Sequence, residues 1–330
     1  MGKILITGAS GFIGSHIVDL LIKDGVPPKT LRLFVLHGES MANIQHKNLD
    51  IIFGNILNKD DVKKAMQDVE IVYHLAAFTT GKDDPKFEVN WVGTRNLLEY
   101  CKSPKFRKFI LFSSIAIYGL PSLFGDNSNI NENSPLKPSG GYAKSKFKAE
   151  QEVLKAHKQN GLSYAIIRPT TVYGPRDKAG IYQLYIAIKS GLFVRIGNGK
   201  NKVDYVYVTD LVKGARLAQL KKESRDYILG SCNPISFNDL VDTVAKSIGK
   251  SIPAFYLPRS IALIMGHIAD LFTKIFGVTL PLSSDRVKVM TADYYFDCTK
   301  AQKELGYKPQ VNFKKGTELT ARWLKKNGLI

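Results

Sequence analysis

The sequence predicts an α/β protein: a doubly wound parallel sheet with a smaller α/β lobe after it. Three observations carry that expectation. Short apolar segments alternate with helix-forming ones from Lys3 to about residue 175, as strands joined by crossover helices do. The first apolar segment, Gly2–Thr7, runs directly into Gly8-Ala-Ser-Gly11-Phe-Ile-Gly14 and then a helix. From Asp177 onward the alternation loosens, yet no low-complexity linker separates the two regions.

Composition bounds the function classes. A chain of 330 residues with 44% apolar and 23% charged residues can bury a full core. Cys101, Cys232 and Cys298 are widely spaced with no CxxC, and the six histidines form no i,i+3 or i,i+4 pair, so neither a disulfide framework nor a metal site is expected. The net charge of +18 favours anionic partners. The lysines are scattered, however, with no aromatic interleaving, which argues against nucleic acid. A strand starting at Lys3 leaves no room for a signal peptide, so the expectation is a cytoplasmic protein.

Taken in order, the glycine turn comes first. Gly8 permits a tight turn, Gly11 lets the backbone approach a pyrophosphate, and Gly14 lets helix and strand pack closely. The helix start presents free N–H groups to phosphate. Leu31–Leu36 is the second strand, whose end should read the adenosine ribose. An NAD site wants an acid there, about 20 residues on. This chain has His37 and only a late Glu39, with Arg32 nearby, and the balance leans to NADP. Asp50–Phe53, Glu70–Ala77 and Lys108–Ser114 read as further strands, with helices over 60–68 and 88–102 between them. The last of these strands closes on two hydroxyls, Ser113 and Ser114, at the sheet edge where ligands bind. The Asn- and Pro-rich loop from Ile115 to Gly141 is long enough to be functional. Ser163–Arg168 is a sixth strand, followed by short strands at 203–208 and 227–229 and helices at 210–222, 237–248, 261–276, 300–305 and 314–326.

Between these strands lies Tyr142-Ala-Lys-Ser-Lys146, whose Tyr and Lys share a helical face at i,i+4. A free tyrosine has a pKa of about 10, and lowering it by about three units needs roughly 4 kcal/mol. One ammonium is too little for that, so a cofactor's positive charge would have to help.

Together these residues resemble the extended short-chain dehydrogenase/reductase superfamily, in its epimerase/dehydratase and 3β-hydroxysteroid dehydrogenase-like branches. The likeness covers nearly the whole chain. It rests on the glycine turn, His74-Leu-Ala-Ala77, Asn90-Trp-Val-Gly-Thr-Arg-Asn96, Ser113-Ser-Ile-Ala-Ile-Tyr-Gly119, Tyr142-xxx-Lys146, Arg168-Pro-Thr-Thr-Val-Tyr-Gly-Pro175 and Leu305-Gly-Tyr-Lys-Pro309. The resemblance implies a Rossmann-type core over 1–175 that receives chain from about 200–235, and a mainly substrate-binding lobe over 176–330. It implies Tyr142 as general acid or base, Lys146 lowering its pKa while binding the nicotinamide ribose, and Ser114 on the reacting oxygen, with no metal. Contacts to NAD or NADP are expected from Gly8, Ser10, Gly11, Phe12, Ile13, Gly14, His37, Asn55, Ile56, Leu75, Ala76, Ala77, Tyr142, Lys146 and Pro169. Substrate contacts are expected from Thr79, Ser114, Thr171 and Val203. A homodimer through the helices at 88–102 and 142–159 is also implied.

The substrate is less determined. Nucleotide-sugar enzymes of the superfamily place an asparagine where Thr171 stands, an arginine at Val203 and an aspartate at Asn55. Lys202 is adjacent to Val203 and offers a replacement cation. The segments Leu31–Leu36, Arg168–Thr171 and Thr291–Asp297 look more like the 3β-hydroxysteroid dehydrogenase and dihydroflavonol reductase branch, which handles apolar alcohols and ketones. The main expectation is therefore hydride transfer at a relatively apolar secondary alcohol or ketone. The alternatives are a nucleotide-sugar epimerase or dehydratase and a non-catalytic NAD(P)-binding sensor. Residues 261, 264, 265, 268, 272 and 275 form one apolar helical face. It is expected to pack inside the lobe or line a pocket, with a peripheral membrane contact as the alternative.

Overall fold

The computed structural model describes residues 2–79, 84–120, 130–253, 255–277 and 282–330; the middle of the Ile115–Gly141 loop lies outside them. Thirteen strands are seen among these residues: β1 (Lys3–Thr7), β2 (Leu31–Val35), β3 (Asp50–Phe53), β4 (Val69–His74), β5 (Lys108–Phe112), β6 (Tyr164–Pro169), β7 (Thr171–Tyr173), β8 (Arg195–Ile196), β9 (Lys202–Val203), β10 (Tyr205–Tyr207), β11 (Arg225–Leu229), β12 (Ile235–Ser236) and β13 (Tyr256–Leu257). The helices are α1 (Phe12–Lys23), α2 (Lys59–Ala65), α3 (Glu88–Leu98), α4 (Gly140–Asn160), α5 (Gly180–Lys189), α6 (Val208–Leu220), α7 (Phe237–Ser247), α8 (Arg259–Phe276), α9 (Ser284–Met290), α10 (Thr299–Leu305) and α11 (Phe313–Lys326).

Seven strands form one all-parallel sheet in the order β11-β6-β5-β4-β1-β2-β3. This is the Rossmann-type, doubly wound arrangement that the alternation predicts. Side chains alternate across it as the pleat requires. Ile4 and Ile6 of β1 join a core layer with Ile17 and Leu21 of α1 and Leu211 and Ala215 of α6. Leu5 points the other way, into a layer with Leu97 of α3 and Ala149 and Val153 of α4. With both faces covered, β2, β5 and β6 are buried along their whole length, which is why they read as continuous apolar runs. Strand order reverses between β1 and β4, and the carboxyl ends at that reversal open the crevice where ligands bind in such sheets.

Four differences from the sequence reading have local causes. The segment 203–208 splits into β9 and β10 at Asp204, a buried carboxylate that accepts the Ser231 N–H at 2.8 Å. β4 stops at His74, because the amides of Leu75 and Ala76 turn to the Thr7 hydroxyl at 3.1 and 3.0 Å. The helix from Glu88 ends at Leu98 rather than at 102. Helices α5 and α9 and the short strands β7, β8, β12 and β13 lie outside the elements read from the sequence: α5 does carry the helical spacing Ile181, Leu184, Tyr185 and Ile188, whereas the strands are too short for any periodicity to show. Residues after 175 contribute α5 and parts of α7 and α11 to a separate apolar cluster around Tyr173, Tyr185, Val244 and Leu324.

Candidate active site

The Gly8–Gly14 turn is built on close approaches. Gly8 adopts φ 65°, and a Cβ there would lie 2.8 Å from the Ala76 N. A Cβ on Gly14 would lie 2.2 Å from the Gly8 carbonyl oxygen, so only glycine closes the helix onto the strand. Gly11 differs: a Cβ there would meet only the Gly8 O, at 3.2 Å, and the residue is exposed. Gly11 also caps α1 without any side-chain hydrogen bond and with no acid in the first turn, which leaves the helix end electropositive. An uncapped glycine turn of this kind fits a dinucleotide's pyrophosphate. Ser10 is buried and its carbonyl accepts the Asn43 side chain at 2.9 Å, tying down the loop after β2. Phe12 and Ile13 pack half-buried against the α1 core layer.

The neighbouring strand end is fixed by one hydrogen-bonded chain. Thr7 Oγ1 accepts both strand-end amides and lies 2.7 Å from His74 Nδ1, so its single proton goes to that nitrogen. His74 Nε2 must then carry the ring proton and donate it to Thr94 Oγ1 at 3.0 Å, while Thr94 donates to the Asn90 carbonyl at 2.7 Å. Burial, aided by the Lys146 charge, pushes His74 down to about 3, so it is neutral. Asn90 continues the chain: its side chain pairs reciprocally with the Phe78 backbone at 2.7 and 2.9 Å and donates to Ser145 Oγ at 2.8 Å. Ser145 in turn donates to the Tyr142 carbonyl at 2.7 Å. Leu75, Ala76 and Ala77 are thereby held half-buried at the crevice. This role of Thr7, His74, Thr94 and Asn90 was missed at the sequence level, although His74 and Asn90 stood inside recognised motifs.

Ser114, Tyr142 and Lys146 come together at the carboxyl end of β5. Gly140, with φ 76°, starts α4, placing Tyr142 in its first turn and Lys146 one turn later. The Ser114 hydroxyl hydrogen-bonds the Tyr142 phenol and also accepts the Ala116 N–H at 3.1 Å. Lys146 is buried and donates from Nζ to the Phe112 carbonyl at 2.6 Å, on the last residue of β5. Burial lowers the Lys146 pKa to about 8, with Glu150 opposing the shift. Burial raises Tyr142 above its ordinary value, and the Ser114 hydrogen bond pulls it back. The lowering of Tyr142 expected from Lys146 does not figure in that balance. Ser113 Oγ is buried with no hydrogen-bond partner among the described residues.

Behind this group, α4 is locked to the sheet. Arg168 on β6 donates to both carboxylate oxygens of Glu150, at 3.0 and 2.8 Å, and to Tyr118 Oη at 2.8 Å, and it pairs with Asp226 at 2.7 Å. Asp226 is also held by Lys300 at 3.0 Å, which fastens β11 and α10 to the same cluster.

The remaining expected residues are spread more widely. His37 is exposed, its ring stacked on Phe53 at 5.9 Å. Arg32 is committed elsewhere: it pairs with Asp50 at 2.9 Å and donates to the Ala65 and Gln67 carbonyls, so it does not support a 2′-phosphate site. Asn55 is exposed and its side-chain Oδ1 accepts the Leu57 N–H at 2.9 Å. Ile56 is buried against Gly93, and its carbonyl accepts from Asn96 at 3.0 Å. Pro169 is buried at the end of β6, Thr171 is half-buried beside Tyr205, and Thr79 is exposed. Val203 packs in an apolar cluster with Phe237, Leu240 and Val241 rather than presenting an open face.

The model of the NAD-dependent epimerase/dehydratase family matches residues 4–230, which carry the glycine turn, both strand ends and α4. The chain belongs to this family. Family members of the extended short-chain type carry out NAD-dependent dehydrogenation, epimerisation and dehydration, and the chain is similar to proteins named for more than one of these reactions. It is 26% identical over 345 residues to an Arabidopsis thaliana 3β-hydroxysteroid-dehydrogenase/decarboxylase, covering 96% of this chain and 61% of that protein. It is 30% identical over 340 residues to a putative UDP-glucose 4-epimerase of Methanocaldococcus jannaschii, covering 98% and 99% of the two chains. Among solved structures it matches the UDP-glucuronic acid 4-epimerase of Bacillus cereus in complex with NAD, at 26% identity and TM-score 0.76, covering 98% and 99%.

Proposed function

We propose that the protein is an NAD(P)-dependent oxidoreductase acting at a secondary alcohol or ketone of a relatively apolar substrate. The observation that carries the reading is the convergence of Ser114, Tyr142 and Lys146 on one strand end beside an uncapped glycine turn. NAD or NADP held along that turn would supply the hydride acceptor or donor. Gly8 to Gly14 would hold its phosphates and Asn55 and Ile56 its adenosine. Leu75, Ala76, Ala77 and Pro169 would line its path, and Lys146 would reach the ribose next to the nicotinamide.

Tyr142 moves the proton at the substrate oxygen, and Ser114 hydrogen-bonds that oxygen as charge develops on it. Lys146 alone does not lower the Tyr142 pKa here, so the positive charge of the oxidised nicotinamide would have to supply the shift toward the phenolate. The Asn90–Ser145 chain holds the first turn of α4 in register with the strand ends, so the phenol and the hydride path stay aligned.

The apolar substrate is favoured by residue 203, which offers no charge for a diphosphate and is spent on core packing. Thr171 offers only a hydroxyl, and the exposed Lys202, adjacent to Val203 in the chain, is the candidate cation. The lobe after residue 175 supplies the remaining substrate contacts. The 30% identity to a putative UDP-glucose 4-epimerase favours a second reading, epimerase or dehydratase chemistry with hydride returned to the same substrate. His37 stands where an acid would select NAD, which favours NADP, but with Arg32 committed to Asp50 the preference rests on His37 alone. A cytoplasmic homodimer through α3 and α4 belongs to the same proposal.

The deciding experiment is turnover with NAD and NADP against hydroxysteroids and against UDP- and dTDP-sugars. Net NAD(P)H formation on apolar alcohols supports the dehydrogenase. Strong thermal stabilisation by a nucleotide diphosphate, with sugar interconversion and no net cofactor turnover, overturns it in favour of the epimerase. Tyr142→Phe should abolish hydride transfer and leave cofactor affinity nearly unchanged; full activity in that variant removes Tyr142 from the mechanism.

A further inference from the structure

α8 is amphipathic in the reverse sense to a core helix. The only residues it buries are small: Ala262, Gly266 and Ala269, on one narrow face. That face seats against the start of α9, where a Cβ on Gly266 would lie 2.7 Å from the Ser284 N and where Asp270 accepts the Ser284 N–H at 3.1 Å. The large apolar side chains point away. Ile264, Ile268, Leu271, Ile275 and Phe276 are each 58–63% exposed, in a row running the length of the helix. The sequence expectation that this face packs within the lobe is therefore overturned.

Phe255 and Val194, each one residue before the paired strands β13 and β8, are exposed as well. A row of exposed apolar side chains of this length marks a binding face. Its shape and charge select the occupant. A single convex helix about 27 Å long offers a row to insert rather than a groove to fill. Its charged residues are Arg259, Asp270 and Lys274 with His267, and the one acid is turned inward onto α9. The exposed charge is thus cationic, on a chain of net charge +18. The family match ends at residue 230, so this surface lies outside the part of the chain that carries the family's pattern. No helix of the described residues is long and apolar enough to cross a membrane, so α8 would lie in the interface.

We propose that α8 is an interfacial anchor that binds anionic bilayers, its isoleucine, leucine and phenylalanine row inserted at the headgroup–acyl boundary and Arg259 and Lys274 at the level of the lipid phosphates. The inference does not depend on which substrate the active site takes.

The test is co-sedimentation of the full chain with sucrose-loaded vesicles of phosphatidylcholine alone or mixed with phosphatidylglycerol. The protein should pellet with the anionic vesicles, with a partition coefficient at least tenfold above that on neutral ones. Ile264→Glu/Ile268→Glu/Ile275→Glu should lower it at least tenfold with unchanged circular dichroism, because all three positions face solvent. Independently, tryptophan fluorescence gained in Phe272→Trp should be quenched by brominated lipid. Three results overturn the proposal: no pelleting with either vesicle, equal pelleting of the triple variant and the wild type, or conversion of a dimer to monomers by the triple substitution with no vesicle binding in either protein. The last would make the face an interface between copies.

Discussion

Lys146 should weaken the fold that it serves. It is 4% exposed, and burial takes its pKa from 10.5 to about 8. At about 1.4 kcal/mol per pH unit, keeping it charged inside the protein costs about 3 kcal/mol. Replacing it with methionine, of similar length and no charge, removes that cost. Loss of the bond to the Phe112 carbonyl takes back about 1–2 kcal/mol. Lys146→Met should therefore be more stable at pH 7 by about 1–2 kcal/mol while losing at least about 100-fold in turnover. The pH dependence has a definite sign. A lysine with a depressed folded pKa leaves its full cost in place below pH 8. As pH rises from about 8 toward 10.5 the folded protein gives up the proton first, and the wild type gains stability on the variant. Urea unfolding of both proteins at neutral and alkaline pH measures the gap directly. A variant less stable than wild type at pH 7, or a gap that does not narrow toward pH 10, would refute the reasoning.

Other perturbations separate roles that lie close together. Gly14→Ala sets a Cβ against the Gly8 carbonyl and should destabilise the fold by about 1–3 kcal/mol in urea unfolding. Gly11→Ala meets little protein, and should instead weaken cofactor binding in a fluorescence titration while stability stays near wild type. Arg168→Met strands the buried Glu150 carboxylate and should cost about 3–5 kcal/mol, largely recovered in the double variant with Glu150→Gln. His74 stays neutral to about pH 3, so the unfolded chain takes up its proton first as pH falls below about 6.5. Nitrogen-15 NMR should show an unchanging Nε2–H tautomer in the folded protein from pH 5 to 8. His74→Gln should flatten the acid loss of stability by about one proton over the lower half of that range.

Much of the site is legible in the chain because its signals are local. The Gly8–Gly14 turn needs only strand before and helix after, and Tyr142 and Lys146 share a face by helical spacing alone. The long apolar runs of β1, β2, β5 and β6 announce a sheet covered on both faces, and together these features determined the fold class. What tertiary structure decided are meetings between distant residues. Arg32, at the start of β2, looked available to the cofactor until Asp50 engaged it, and Val203 stood at a family substrate position yet packs with Phe237 and Leu240. Lys146 finds the Phe112 carbonyl, and β11 joins the main sheet from far along the chain. α8 shows the division most clearly. Its periodicity fixes that an apolar stripe exists, but a stripe's spacing is the same whether protein, solvent or lipid covers it. Only the packing of Gly266 against α9 shows that the small residues face inward and the large ones out.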